Sequence, residues 1–200
     1  MAAALREALT HDPIVVGGTA EVYWTSAEYH EPDLDICVPL TESDRKTLGS
    51  LGFELEGRHW YHPKAQVAVE FPDSRIDGIE RRTVETPVGS GRARLIGLDD
   101  LYFDRLKQAT INERREEIEF QSALAVAAAN LEAIDWTYVS ARIRRVIETD
   151  RPLGEPMRRL DSRIRRRARQ RLSENPSRYR GRRNHREPVL LIPSDCLRQR

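Results

Sequence analysis

Up to residue 97 the apolar positions come in short runs or alternate with polar ones, and from Leu98 onward they recur every three or four residues. The first pattern predicts strands with a few short helices, the second a set of amphipathic helices. Ala2 to Leu9 reads as a short helix. Ile14-Val15-Val16 is a β-branched run that stops at Gly17-Gly18, as a buried strand entering a turn does. A helix opened by that turn is expected over Thr19 to Ala27, and the next strand over Leu34 to Val38. Thr41, with Asp44 three positions on, predicts a capped helix start with Leu48 and Leu51 facing inward. Phe53 to Tyr61 and Gln66 to Phe71 read as strands. In the second, Val67, Val69 and Phe71 alternate with Gln66, Ala68 and Glu70, the period of two of a pleated sheet. Thr83 to Val88 and Arg92 to Ile96, joined around Gly89 and Gly91, predict a hairpin.

The helical half has three apolar stripes. Leu98, Leu101, Phe103, Leu106 and Ala109 mark the first, and Ile118, Leu124, Val126 and Leu131 the second. Trp136, Val139, Ile143, Val146 and Ile147 mark the third. Strands first and helices afterwards make an α+β arrangement, a mixed sheet with flanking helices. The expected division is an α/β core over 1–97 and a helical extension of the same domain over 98–150. An arginine-rich tail over 151–200, partly helical or irregular, completes it. Arg163 to Arg171 is its helical candidate, and the apolar run between Pro188 and Pro193 reads as a short strand or a loose end.

Charge sharpens that division. Residues 151–200 hold 16 Arg against five acids, a balance of +11, so residues 1–150 carry −10 of a chain whose net charge is +1. An acidic part suits a metal site and a basic part resembles a nucleic-acid arm. Arg163, Arg165, Arg166, Arg167 and Arg169 are the expected phosphate contacts, with RNA or tRNA as the partner. The bland alternative is a solvated charged face. No apolar run approaches the ~20 residues of a membrane span, and the opening MAAALREALT has no long apolar segment of the secretory kind. Cys37 lies in an apolar run and, with Cys196 the only other cysteine, points to a reducing cytoplasm without disulfides.

Three fragments carry candidate chemistry. Val16-Gly17-Gly18-Thr19 ends a strand in two glycines and a hydroxyl residue, where backbone amides can approach an anion at a helix start. Pro32-Asp33-Leu34-Asp35-Ile36 places two carboxylates on one face of a strand. Carboxylates at this spacing repel unless a cation neutralises them, and a hard ion such as Mg²⁺ takes oxygen ligands while keeping waters. Glu70 interrupts an apolar strand, where a lone acid is costly unless solvated or partnered. Taken singly, each fragment has an ordinary explanation: a turn, a solvated strand start, an open sheet face.

Together, Gly18-Thr19, Asp33-x-Asp35 and a third acid on a later apolar strand resemble the nucleotidyltransferase superfamily signature. The longer match, Gly17-Gly18-Thr19-Ala20 through Asp33-Leu34-Asp35, is similar to the minimal branch that includes AbiEii-type toxins. Asp99-Asp100-Leu101 with Asp104-Arg105-Leu106 resembles the helix that follows the sheet there. The resemblance covers roughly residues 12–150 and leaves the tail unexplained. It implies metal-dependent transfer of a nucleoside monophosphate from a nucleoside triphosphate to an acceptor, with RNA or tRNA and an antitoxin protein as partners. It assigns Asp33, Asp35 and Glu70 to Mg²⁺ or Mn²⁺ and to catalysis. Gly17, Gly18 and Thr19 fall to the phosphates; Arg105 or Lys107 is expected at the leaving pyrophosphate on sequence position alone. Arg105 stands where that branch carries lysine, a fork in place of a point charge. The lysine- or arginine-aspartate pair of the next helix is blurred to Arg114, Arg115 and Glu116. A second expectation is a degenerate nucleotidyltransferase fold that binds RNA or a partner protein through the arginine tail. His59-Trp60-Tyr61-His62 lacks cysteine partners for a structural zinc site, and Trp24, Trp60 and Trp136 are read as packing residues.

Overall fold

The computed structural model describes residues 1–26, 33–112 and 116–174. It divides into two compact units, residues 1–23 with 33–97 and residues 24–26 with 98–174. Arg114, Arg115 and the run between Pro188 and Pro193 lie outside the described residues.

The first unit is built on a seven-stranded mixed sheet. Its strands are β1 (Ile14–Val15), β2 (Asp33–Cys37), β3 (Glu54–Glu56), β4 (His59–His62), β5 (Val67–Glu70), β6 (Val84–Val88) and β7 (Gly91–Leu95). They run in the order β3-β4-β5-β2-β1-β7-β6. The β2–β5 and β1–β7 pairs are parallel and the rest antiparallel. Helices α1 (Ala2–Ala8) and α3 (Glu42–Ser50) cover one face. There Leu5 and Leu48 pack with Val15, Leu34, Ile36, Val69 and Leu95 in one apolar cluster. Each fully buried Leu or Ile of such a cluster contributes roughly 1.5–3 kcal/mol. The expected Thr41 cap of α3 is a complete capping box: Thr41 accepts from the Asp44 amide, and Asp44 accepts from the Thr41 amide.

One expected element divides. The Phe53-to-Tyr61 strand is a hairpin, β3 and β4, because Gly57 takes φ +63° in the two-residue turn between Glu56 and His59. A two-residue loop of this kind needs left-handed backbone, which glycine supplies without strain.

The second unit packs α4 (Leu98–Ile111), α5 (Glu116–Ala129), α6 (Trp136–Thr149) and α7 (Arg151–Glu174). Leu101, Tyr102, Leu106, Leu124, Met157 and Ile164 form its buried interior. The arginine-rich segment starts as the long helix α7, against α4, α5 and α6. Asp150 begins it by accepting from the Leu153 amide at 3.1 Å. Pro152 falls in the first turn, where a missing N–H costs nothing, so it opens a helix rather than ending one. Gly154 permits the close approach of α6, since a Cβ there would come within 2.6 Å of the Ile147 nitrogen. Among the described residues no helix is long and apolar enough to cross a membrane.

Candidate carboxylate face of the sheet

Alternation along β2 sends Leu34 and Ile36 to the α1/α3 core and Asp33 and Asp35 to the opposite face. The parallel pairing of β2 with β5 sets Asp33 beside Ala68 and Asp35 beside Glu70. Adjacent strands lie ~4.8 Å apart, so Asp35 and Glu70 leave their backbones as direct neighbours on that face. Asp33 is exposed, while Asp35 and Glu70 are half-buried.

The glycine turn arrives beside Asp35. β1 pairs antiparallel with β2, and the Val16 amide donates to the Asp35 carbonyl at 2.9 Å. Gly17 then takes φ +62° and starts α2 (Gly17–Thr25). A Cβ at residue 17 would collide with the Asp35 carboxylate, so only glycine fits this position. The first i to i−4 bond of α2 runs from Ala20 to Val16, which leaves the amides of Gly17, Gly18 and Thr19 as helix-start donors. Thr19 itself is buried, and its hydroxyl donates to the Asp33 carbonyl at 3.2 Å. That bond ties the start of α2 to the start of β2.

Glu70 has acquired company that sequence alone did not reveal. The Arg58 Nε lies 3.1 Å from one carboxylate oxygen of Glu70, and His59 Nδ1 lies 3.6 Å from the other. Arg58 also donates to His59 Nε2 at 3.3 Å. His59 stands opposite Glu70 in the β4–β5 register, and Arg58 sits in the turn just before it. His62, three positions on, points to the other face. Its Nε2 donates to the Leu51 carbonyl and its Nδ1 accepts from the Ala65 amide, each at 3.1 Å. The two histidines therefore share no site.

Oxygen-only donors at Asp33, Asp35 and Glu70 suit a hard divalent cation. Among the described residues no three His, Cys, Asp or Glu side chains are gathered tightly enough to cage one. Asp33 and Asp35 share one face of β2, and Glu70 beside Asp35 is paired with Arg58.

Arg105 and Lys107 belong to α4 in the helical unit. Arg105 is buried, donates to Gln108 at 3.3 Å and lies 3.8 Å from Asp104. Of the arginines expected to meet phosphates, Arg165 requires a correction. It turns inward, pairs with Asp161 at 2.8 Å, donates to Ser140 and stacks on Trp136 at 4.2 Å. Its place is the seam between α6 and α7, where it pairs with the buried Asp161 one turn away. Arg166, Arg167 and Arg169 are exposed, as is Arg163, which covers the Phe120 ring at 4.8 Å.

No known protein family matches the chain, and no curated protein matches it significantly. Among solved structures it is similar to an antigenic nucleotidyltransferase-like protein from Paracoccidioides brasiliensis. The two are 11% identical with a TM-score of 0.45, over 74% of this chain and 84% of that chain. The likeness is distant, and the carboxylate face carries the functional reading.

Proposed function

We propose that the chain is a metal-dependent nucleotidyltransferase that moves a nucleoside monophosphate from a nucleoside triphosphate to an acceptor. The observation behind this is the meeting of Asp35 with Glu70 in register and with the Gly17 turn at its side chain. Asp33 and Asp35 would hold Mg²⁺ or Mn²⁺, with Glu70 as a third ligand. Such an ion neutralises the triphosphate and lowers the pKa of an acceptor hydroxyl. The chain's own contribution is positional. Amides of Gly17, Gly18 and Thr19 offer hydrogen bonds and a favourable helix-start field to phosphate oxygens. The Thr19 hydroxyl braces the strand that carries the aspartates. Arg105 and Lys107 are proposed as cations for the leaving pyrophosphate on their sequence position alone. RNA or tRNA as acceptor, a toxin role and an antitoxin partner rest on the resemblance to the AbiEii-type branch.

A second reading has its own observation. Glu70 is already neutralised by Arg58, and exposed arginines line α7, which together favour a non-catalytic relative that binds RNA. Incubation with Mg²⁺, each labelled nucleoside triphosphate and total cellular RNA separates the two. Label transferred by the native chain and not by D33A/D35A supports the transferase. RNA binding with neither transfer nor nucleotide binding would replace it by the second reading.

A further inference from the structure

The seam between α6 and α7 is polar where two packed helices normally interdigitate apolar side chains. A cleft of about 340 Å³ opens there. Ser140, Ile143, Arg144 and Ile147 line it from α6, and Arg158, Asp161, Ser162 and Arg165 from α7. Both quartets follow the same i, i+3, i+4, i+7 spacing, so each is one continuous helix stripe.

The cleft has a fixed inner end and a charged mouth. Inside, Asp161 is buried and already satisfied: it accepts from the Tyr102 hydroxyl at 2.9 Å and pairs with Arg165. Arg165 thus brings its own counter-charge. At the mouth, Arg158 is 60% exposed and, among the described residues, its side chain pairs with Glu155, a surface pair at 2.8 Å. Pairs of that kind are worth well under ~1 kcal/mol and exchange readily for a better anion. Arg144 is exposed and has no partner among the described residues. Ser140 accepts from Arg165, which leaves its own hydroxyl hydrogen to donate into the cleft. Half-buried Ile147 supplies the apolar wall, with Ile143 buried one turn before it.

We infer that this cleft binds a phosphorylated small molecule, its phosphate held by Arg144, Arg158 and Ser140 and its uncharged part laid on Ile147. Arginine forks match phosphate oxygens in pairs, and the volume lies in the usual range for small-ligand sites. The site belongs to the helical unit and does not depend on the carboxylate face of the sheet.

The test is calorimetric titration of the full chain with AMP and with inorganic phosphate, in the absence of divalent metal. Arg144→Ala, Arg158→Ala, Arg167→Ala and D33N/D35N are titrated alongside. The expected result is binding by the native chain, weakened at least ~10-fold by Arg144→Ala or Arg158→Ala. It should be unchanged in D33N/D35N and nearly unchanged by Arg167→Ala, which removes the same charge from α7 outside the cleft. Absence of binding overturns the inference. So does an equal loss in Arg167→Ala, which makes the effect diffuse charge, or tighter binding in D33N/D35N, which moves the ligand to the sheet, where the two carboxylates repel a phosphate in the absence of metal. A short single-stranded RNA bound in the same buffer, with AMP and phosphate both ignored, also overturns it in favour of a backbone-binding surface.

Discussion

The Asp35 carboxylate occupies the space that any side chain at residue 17 would need, and Gly17 holds φ +62° beneath it. Two independent penalties therefore meet a Gly17→Ala substitution: strained left-handed backbone and a displaced carboxylate. The expected cost is about 1–3 kcal/mol of stability, measured by urea unfolding. Gly49 is the internal control. It lies within α3 and a Cβ there meets nothing within 4 Å, so Gly49→Ala should stabilise by ~0.5–1 kcal/mol. Opposite signs at the two glycines are the expected outcome; two stabilising substitutions would refute the Asp35 contact.

How much of this was legible in the sequence depends on the range of the interaction. The Thr41–Asp44 capping box is a local contact, and its spacing announces it. Asp33 and Asp35 share a face because a strand has period two, which is also local. The partner of Asp35 is different. Glu70 comes beside it through a parallel pairing of strands 35 residues apart in the chain, and no periodicity specifies which strands pair. Arg58 and His59 reach Glu70 by the same route, after the Gly57 turn folds β3 onto β4. Arg165 was legible as a charge and not as a core residue, since only the packing of α6 on α7 reveals Asp161 and Trp136 around it. Pro152 is a first-turn residue because Asp150, directly before the helix, caps it.

Arg58 gives the metal reading a direct check. Its side chain is 76% exposed and its known partners are Glu70 and His59. Arg58→Ala should change stability by less than ~0.5 kcal/mol, as exposed pairs do. It removes a cation from the carboxylate that would be the third ligand, so Mn²⁺ affinity should rise several-fold, on the order of the ~1 kcal/mol that a charge at this range is worth in water. Titration followed by Mn²⁺ relaxation reads this. Unchanged or weaker binding would remove Glu70 from the ligand set.

Asp44 ties α3 to the turn after α1 and should make the sheet unit acid-sensitive. Burial raises its pKa, but hydrogen bonds from the Thr10 amide, the Thr41 hydroxyl and amide and the Thr10 hydroxyl outweigh this and hold it at about 2. A carboxyl with a depressed folded pKa stabilises above its unfolded value and loses that contribution as pH falls through the folded one. The window here runs from about pH 4 down to about pH 2. Asp44→Ala should cost ~1–2 kcal/mol near neutral pH, through the lost cap and the unsatisfied Thr10 and Thr41 donors. The gap between native and variant chains should narrow on acidification across that window. A gap independent of pH would mean that Asp44 acts through packing and not through its charge.

Tyr102 predicts the opposite edge of the pH range for the helical unit. Burial, then the neighbouring Asp161 charge and the hydrogen bond donated to it, push the phenol well above its usual value, while Arg165 opposes them weakly. A neutral acid whose folded pKa is raised keeps its contribution below the unfolded value of about 10 and loses it as pH rises beyond that, because only the unfolded chain can ionise it freely. Tyr102→Phe removes this liability together with the bond to Asp161. At neutral pH the variant should be less stable by ~1–2 kcal/mol, since Asp161 loses a donor while keeping Arg165. Between pH 9 and 11 its stability should fall less steeply than that of the native chain, so the two denaturation curves converge. Urea unfolding monitored by helical circular dichroism at stepped pH measures both effects. Parallel curves across the alkaline range would show that Tyr102 ionises as readily folded as unfolded, and with it that the Tyr102–Asp161–Arg165 seam is open to solvent.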